Sequence, residues 1–236
     1  MRTVLVLVLM VWVRVASAAA QYTLTELGTL GGGSSFAYDI NDLGQVVGEA
    51  SAASGLHHAF LYFAGAMQDL GTSGGDTSVA RGINDSGYIV GTRHNSNYYD
   101  RAFIYQNGSM INLGTFGGNF SNAQKINSSG QLVGDSYITG DLQRPYLYSN
   151  GLMQDLGGLG ETHHHGAGYD INNHSQVVGD SNVSDTVHHA FLWQNGSMQD
   201  LGTISGPNST ARAINDAGQI VGWSDVNNGT YTQACL

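Results

Sequence analysis

Apolar positions along this chain fall in short runs, each cut by Gly, Asn, Asp or Ser, and four such runs recur in a fixed order. The copy from Ala80 to Gly114 displays all four. Run a ends in Ile83-Asn84, and an Asp85-Ser86-Gly87 turn follows. Run b is Tyr88-Ile89-Val90-Gly91, closed by a polar loop. Run c is Arg101-Ala102-Phe103-Ile104-Tyr105, closed by Asn107-Gly108. Run d is Met110-Ile111-Asn112-Leu113-Gly114, and the Gly-rich loop Thr115-Phe116-Gly117-Gly118 leads on. Runs this short, rich in β-branched and aromatic residues, predict strands rather than helices. The Asn-Gly pair is the strongest short hairpin signal, because both residues accept positive φ.

The pattern restarts at Ile40, Ile83, Ile126, Ile171 and Ile214, in steps of 43, 43, 45 and 43 residues. A unit of this length with four antiparallel strands is the size of one propeller blade. Runs b and c are apolar at consecutive positions, as in Val46-Val47, Phe60-Leu61-Tyr62 and Phe191-Leu192-Trp193. Strands covered on both faces read that way, and a blade between two others is covered on both. The expected fold is therefore all-β, a β-propeller-like repeat of about five four-stranded blades. A β-solenoid or an array of sandwiches stands second.

The strings Ile-Asn-Asp-x-Gly-Gln-Val-Val-Gly, His58-Ala59-Phe60-Leu61-Tyr62, His189-Ala190-Phe191-Leu192-Trp193 and Asp200-Leu201-Gly202-Thr203 resemble the bacterial HAF extracellular repeat. The resemblance covers nearly all of the chain after its first 20 residues. It implies a repeat fold and an extracellular location, and it implies no activity and no catalytic residue. The third repeat departs from it with Arg144-Pro145-Tyr146, where a proline suits a strand edge.

Residues 1–20 read as a signal peptide: Arg2, an apolar core from Thr3 to Val13, and small residues around Ala16-Ser17-Ala18. The core is far shorter than the roughly 20 residues of a membrane helix. Residues 21–236 read as one repeat domain. It opens on a lone run d, with Glu26-Leu27-Gly28 in register with Asp69-Leu70-Gly71, and its fifth repeat reaches only a degenerate run c, Gln233-Ala234-Cys235-Leu236. Two readings stay open. The first strand supplies the fourth strand of the last blade and latches a ring, or the domain is part of a longer repeat array.

Composition narrows the partners. The leader holds Arg2 and Arg14 and no acid, so the rest carries six basic against 18 acidic side chains, a net of −12. No basic stripe exists to displace counterions, which disfavours nucleic acid and anionic membrane. The single cysteine, Cys235, forms no internal disulfide, and a buried strand position is its favoured reading over a thiol that pairs between chains.

Histidine is the residue that breaks the repeat. His163, His164 and His165 stand in the loop before Ile171, which is lengthened by two residues; His57-His58 and His188-His189 close two b-to-c loops, and His94 opens another. In a propeller these loops share one face. Neutral imidazoles from several loops, completed by Asp170 or Glu161, are a candidate site for a divalent transition metal; no other cofactor is indicated. The plainer reading is that His58 and His189 are polar hydrogen-bonders, since Arg101 and Arg144 stand at the same place.

Asp39 and Asp170 on run a, with Lys125 at the same step, are candidate channel residues for a carbohydrate-active hydrolase or lyase, which needs paired carboxylates. Glu26, Asp69, Asn112, Asp155 and Asp200 recur at one repeat position, and Asn41, Asn84, Asn127, Asn172 and Asn215 at another. Recurrence points to structural hydrogen bonds. Tyr98, Tyr99 and Phe120 in the loops are candidates for stacking on an extracellular glycan or protein. The leading expectation is a secreted, non-catalytic binding scaffold with a His-rich loop face, and the rival is the channel enzyme.

Overall fold

A computed structural model of the protein describes residues 22–94, 99–160 and 165–236. The expected leader, Tyr98, Glu161, His163 and His164 lie outside the described residues. Among the described residues, nineteen strands form five antiparallel sheets, one per repeat, each with its strands side by side in chain order. The first sheet holds β1 (Gly31–Ile40), β2 (Val46–Ala52), β3 (His57–Phe63) and β4 (Ala66–Gly71). The second holds β5 (Ser78–Ile83), β6 (Ile89–His94), β7 (Asp100–Gln106) and β8 (Ser109–Asn112). The third holds β9 (Gly117–Ile126), β10 (Leu132–Ile138), β11 (Gln143–Ser149) and β12 (Leu152–Asp155). The fourth holds β13 (Gly166–Ile171), β14 (Val177–Ser184), β15 (Val187–Gln194) and β16 (Ser197–Gly202). The fifth has three strands, β17 (Ser209–Ile214), β18 (Ile220–Val226) and β19 (Tyr231–Cys235). This is the β-propeller-like architecture that the run pattern predicts. Among the described residues no helix is long and apolar enough to cross a membrane.

The turns form for the reasons the sequence supplies. Asn107 and Gly108 take φ of 51° and 77°, and Asn195 and Gly196 take 51° and 81°. Two positive φ values in succession give the hairpin twist that matches the strands. At the a-to-b turn, Asn127 Oδ1 accepts from Ser129 N (3.1 Å) and Gln131 N (2.9 Å). The same amide donates through Nδ2 to Asn172 O of the next blade (3.1 Å). Asn41, Asn84 and Asn172 repeat this link to Asn84 O, Asn127 O and Asn215 O. The recurring asparagines are thus turn caps and rivets between blades at once.

The cores lie between blades. Val90, Ala102 and Ile104 of the second sheet meet Ala123, Ile126, Leu132 and Tyr146 of the third. Equivalent residues meet at the other joints. At the last joint Cys235 stands where the other blades place Phe60, Phe103, Tyr146 and Phe191. The missing ring leaves an apolar cleft of about 490 Å³ bounded by Leu201, Ile204, Ile220, Trp223 and Leu236. Cys235, favoured as buried, is instead half-exposed, because it lines this cleft between the fourth and fifth blades.

The pairing expected of the first run d with the last sheet is not made. Residues 22–29 form no strand, and β19 has no partner on its outer side. The segment is held to β1 by the bonds used at other joints. Thr29 Oγ1 donates to Gly32 O (2.9 Å) and Ser35 Oγ to Gly28 O (2.7 Å), as Thr72 and Ser78 do to Gly75 and Gly71. β1 packs on β5, no comparable packing joins β1 to β17, and residues 22–28 make no strand pairing with β19.

Candidate functional site

A bulge recurs in every inner strand and decides what faces the axis. Ala37 pairs with Gly48 and Asp39 with Val47, which leaves Tyr38 as the extra residue. Arg81, Gln124, Tyr169 and Arg212 are extra in the same way. The repeated glycine of run b makes the bulge fit. A Cβ on Gly48, Gly91, Gly134, Gly179 or Gly222 would lie 1.9–2.0 Å from a backbone oxygen of the inner strand. Bulges re-aim a side chain, and here each blade turns out one large polar group.

Four of these five residues form two ordered pairs. The Arg81 guanidinium lies 5.8 Å from the Tyr38 ring centre, and that of Arg212 lies 4.4 Å from the Tyr169 ring. Tyr38 donates to Glu49 (2.7 Å) and Tyr169 to Asp180 (3.2 Å). The bond to Glu49, then burial, holds the Tyr38 hydroxyl above its usual range. Burial and then the Asp180 charge push Tyr169 higher still. Asp135 occupies the Glu49 and Asp180 step in the third blade, where it is 2% exposed. Burial raises its pKa, against the pull of hydrogen bonds from Asn122 and Gln143. Glu49, Arg81, Thr92, His94, Asp100 and Asn122 enclose a pocket of about 150 Å³ at this level.

None of these bulged residues was singled out by the sequence reasoning. The available signal was positional. Two residues before each repeat isoleucine stands a large polar side chain, and the step before it is always Ala or Gly.

The other end of the axis is a mouth of about 350 Å³ lined from all five blades. Asp39 and Asp170 stand there, but as clamps. Asp39 Oδ1 accepts from Lys125 Nζ (2.7 Å), and Oδ2 accepts from Ile83 N of the next blade (2.9 Å). Asp170 accepts from Ile171 N (2.9 Å) and from Ile214 N of the next blade (2.8 Å). Burial raises the Asp170 pKa, partly offset by those two N–H donors and by Lys125.

The histidines are spread over separate blades. His57 lies 3.3 Å from Glu49 and is stacked with Phe36 at 6.3 Å between ring centres. His165 Nδ1 accepts from Gln143 N (3.4 Å). His188 meets Trp223 edge-on at 5.7 Å. His94 pairs with Asp100. Among the described residues no three His, Cys, Asp or Glu side chains gather as a metal group. His58 and His189 bond to Asp69 (2.8 Å) and Asp200 (2.9 Å), the plain hydrogen-bonding role. Asp69, Asn112, Asp155 and Asp200 each accept from the backbone N–H two residues on, so their recurrence is structural.

Two of the three stacking candidates, Tyr99 and Phe120, come together. Tyr99 meets Phe120 edge-on at 5.4 Å, and Phe120 meets Tyr137 at 5.3 Å. Arg101 lies 5.6 Å from the Tyr99 ring centre. All three rings are half-buried, at the loop end of the second and third blades. Tyr137, on β10, completes a cluster of which the loop pattern suggested only Tyr99 and Phe120.

The chain matches no protein-family profile and no curated protein sequence. Among solved structures it is similar to TolB from Acinetobacter baumannii, with a TM-score of 0.53 and 13% identity. That match covers 83% of this chain and 52% of the TolB chain, so this chain spans about half of TolB's length. A gluconolactonase from Xanthomonas campestris superposes with a TM-score of 0.48 and 11% identity, over 86% of this chain and 76% of that one. At such identities the TolB match speaks to the fold alone.

Proposed function

We propose that the protein is a secreted, non-catalytic binding scaffold that takes an extracellular glycan on the loop rim at Tyr99, Phe120 and Tyr137. The observation that carries this reading is the contrast between the rim and the channel mouth. The rim groups three aromatic rings beside an arginine, with ring surface half open to solvent. At the mouth the two inner-strand carboxylates, Asp39 and Asp170, are committed to backbone N–H groups and a lysine. Aromatic faces suit sugar rings, while the acidic balance of the chain disfavours polyanions.

The test is affinity electrophoresis against a panel of neutral soluble polysaccharides. We expect retardation by at least one, weakened about two- to tenfold in Phe120→Ala. No retardation across the panel, or an unchanged Phe120→Ala, would sink the glycan reading. A second reading, a carbohydrate-active enzyme, rests on Asp170 as a buried carboxyl with a raised pKa beside Lys125. Release of reducing ends or unsaturated products that stops in Asp39→Asn/Asp170→Asn would replace the scaffold with that enzyme.

A further inference from the structure

Four joints between blades repeat one set of contacts, and the outer faces of the first and fifth blades carry the two halves of that set unused. Ile83, Ile126 and Ile171 are each 5% exposed and Ile214 is 7% exposed, while Ile40 at the same step is 62% exposed. On the opposite faces, Val47, Val90, Val133 and Val178 are fully buried, while Val221 at their step is 44% exposed. Ala80, Ala123 and Ala211 are buried, and their equivalent Ala37 is exposed. The rivets show the same gap. Asn215 is the one recurring asparagine with no bond to a following blade, and it is exposed where the others are buried.

The backbone carries a matching deficit. β19 leaves its outer side unpaired, and residues 22–28 lie beside β1 as an exposed run d without a strand partner, with Leu24 98% exposed. An open edge and an unpaired complementary segment are the two parts of one missing ladder. Among the described residues the parts are not paired: residues 22–29 form no strand, and β19 is bonded to β18 alone.

We propose that the fifth blade of one copy docks on the first blade of a second copy, continuing the joint already used four times within the chain. Val221 of one copy covers Ile40 of the next. The Asn215 amide reaches the Asn41 carbonyl, and residues 22–28 add to the edge of β19 as its fourth strand. The contact is heterologous, since the two faces differ, so copies add head to tail.

Sedimentation velocity over a concentration series tests this. We expect dimers and larger species to grow with concentration. Val221→Asp and Ile40→Asp each abolish the association, because a charge then meets an apolar step. Mixed in equal amounts, these two variants form a dimer and nothing larger, since each keeps the face the other has lost. Leu24→Pro, placed in an exposed segment outside any strand, weakens association without touching either core. A monomer at every concentration, including one closed on itself, overturns the proposal. So does a mixture of Val221→Asp and Ile40→Asp that stays monomeric, or an association that survives all three variants.

Discussion

The third blade has a neighbour on both faces, and the first has one. The same residue types stand at the same steps in both, yet they do different work. Ile126 is sealed into the joint with the second blade, while Ile40 faces solvent. Asp135 is enclosed by Asn122 and Gln143, whereas Glu49 at the same step is half-open and shared by Tyr38 and His57. A repeat unit of this kind cannot bury its own apolar faces. Its stability is a sum over joints, and a residue's contribution depends on whether a neighbour is present.

The comparison breaks most visibly through the isoleucines. Ile126→Ala is expected to cost about 2–4 kcal/mol of unfolding free energy, from lost burial and the cavity left behind. Ile40→Ala is expected to cost about 0.5 kcal/mol or less at a dilution that keeps copies apart. Urea unfolding of the two variants side by side measures the gap. Equal losses would mean that the first blade's outer face is covered after all.

The asparagine rivets sharpen the contrast by a smaller amount. Asn127→Ala removes two turn bonds and the link to Asn172 O, for an expected loss of about 2–3 kcal/mol. Asn215→Ala removes the bonds to Gln219 N and to the exposed Gln219 side chain and no link to a following blade, for about 1 kcal/mol. Thermal melts that rank the two the other way would refute the rivet role.

The smallest expected effect is one of pH. Burial raises the Asp135 pKa above 3.8, so in the folded state the carboxyl holds its proton to higher pH than in the unfolded chain. Folding is therefore favoured by this group below 3.8, and that contribution is lost as pH rises from there through the folded-state value. Asp135→Asn keeps an acceptor for Asn122 and removes the titration. Its urea midpoint should gain on the parent between pH 3.5 and pH 7. An offset that is the same at both pH values would show that desolvation of Asp135 does not govern the difference.

Much of this was legible in the chain. Val-Val-Gly, Asn-Gly and Ile-Asn mark strands and turns through local chemistry, and local chemistry repeats wherever the residues do. The structural role of Asp69 and its equivalents followed from recurrence alone. The aromatic cluster was half legible: Tyr99 and Phe120 stood out in loops, but Tyr137 lies on another strand and joins them only through packing. The bulged residues were hidden because period-2 alternation assigns faces, and one extra residue per strand reverses the assignment locally. The clamps at Asp39 and Asp170 were read as channel polar groups, because a carboxylate's partners in the next blade lie some 44 residues away along the chain.

The sequence by itself determined the unit: strand, turn, strand, with an asparagine at each a-to-b turn and apolar residues on both faces. These features depend on neighbours within one repeat, where the chain brings residues together with little loss of entropy. Only the tertiary structure decided which of the identical steps are satisfied. Whether Ile40 is core or surface, and whether run d at the start finds the edge of β19, depends on the accumulated angle between blades. That angle is set by packing at four joints together, and no single repeat contains it.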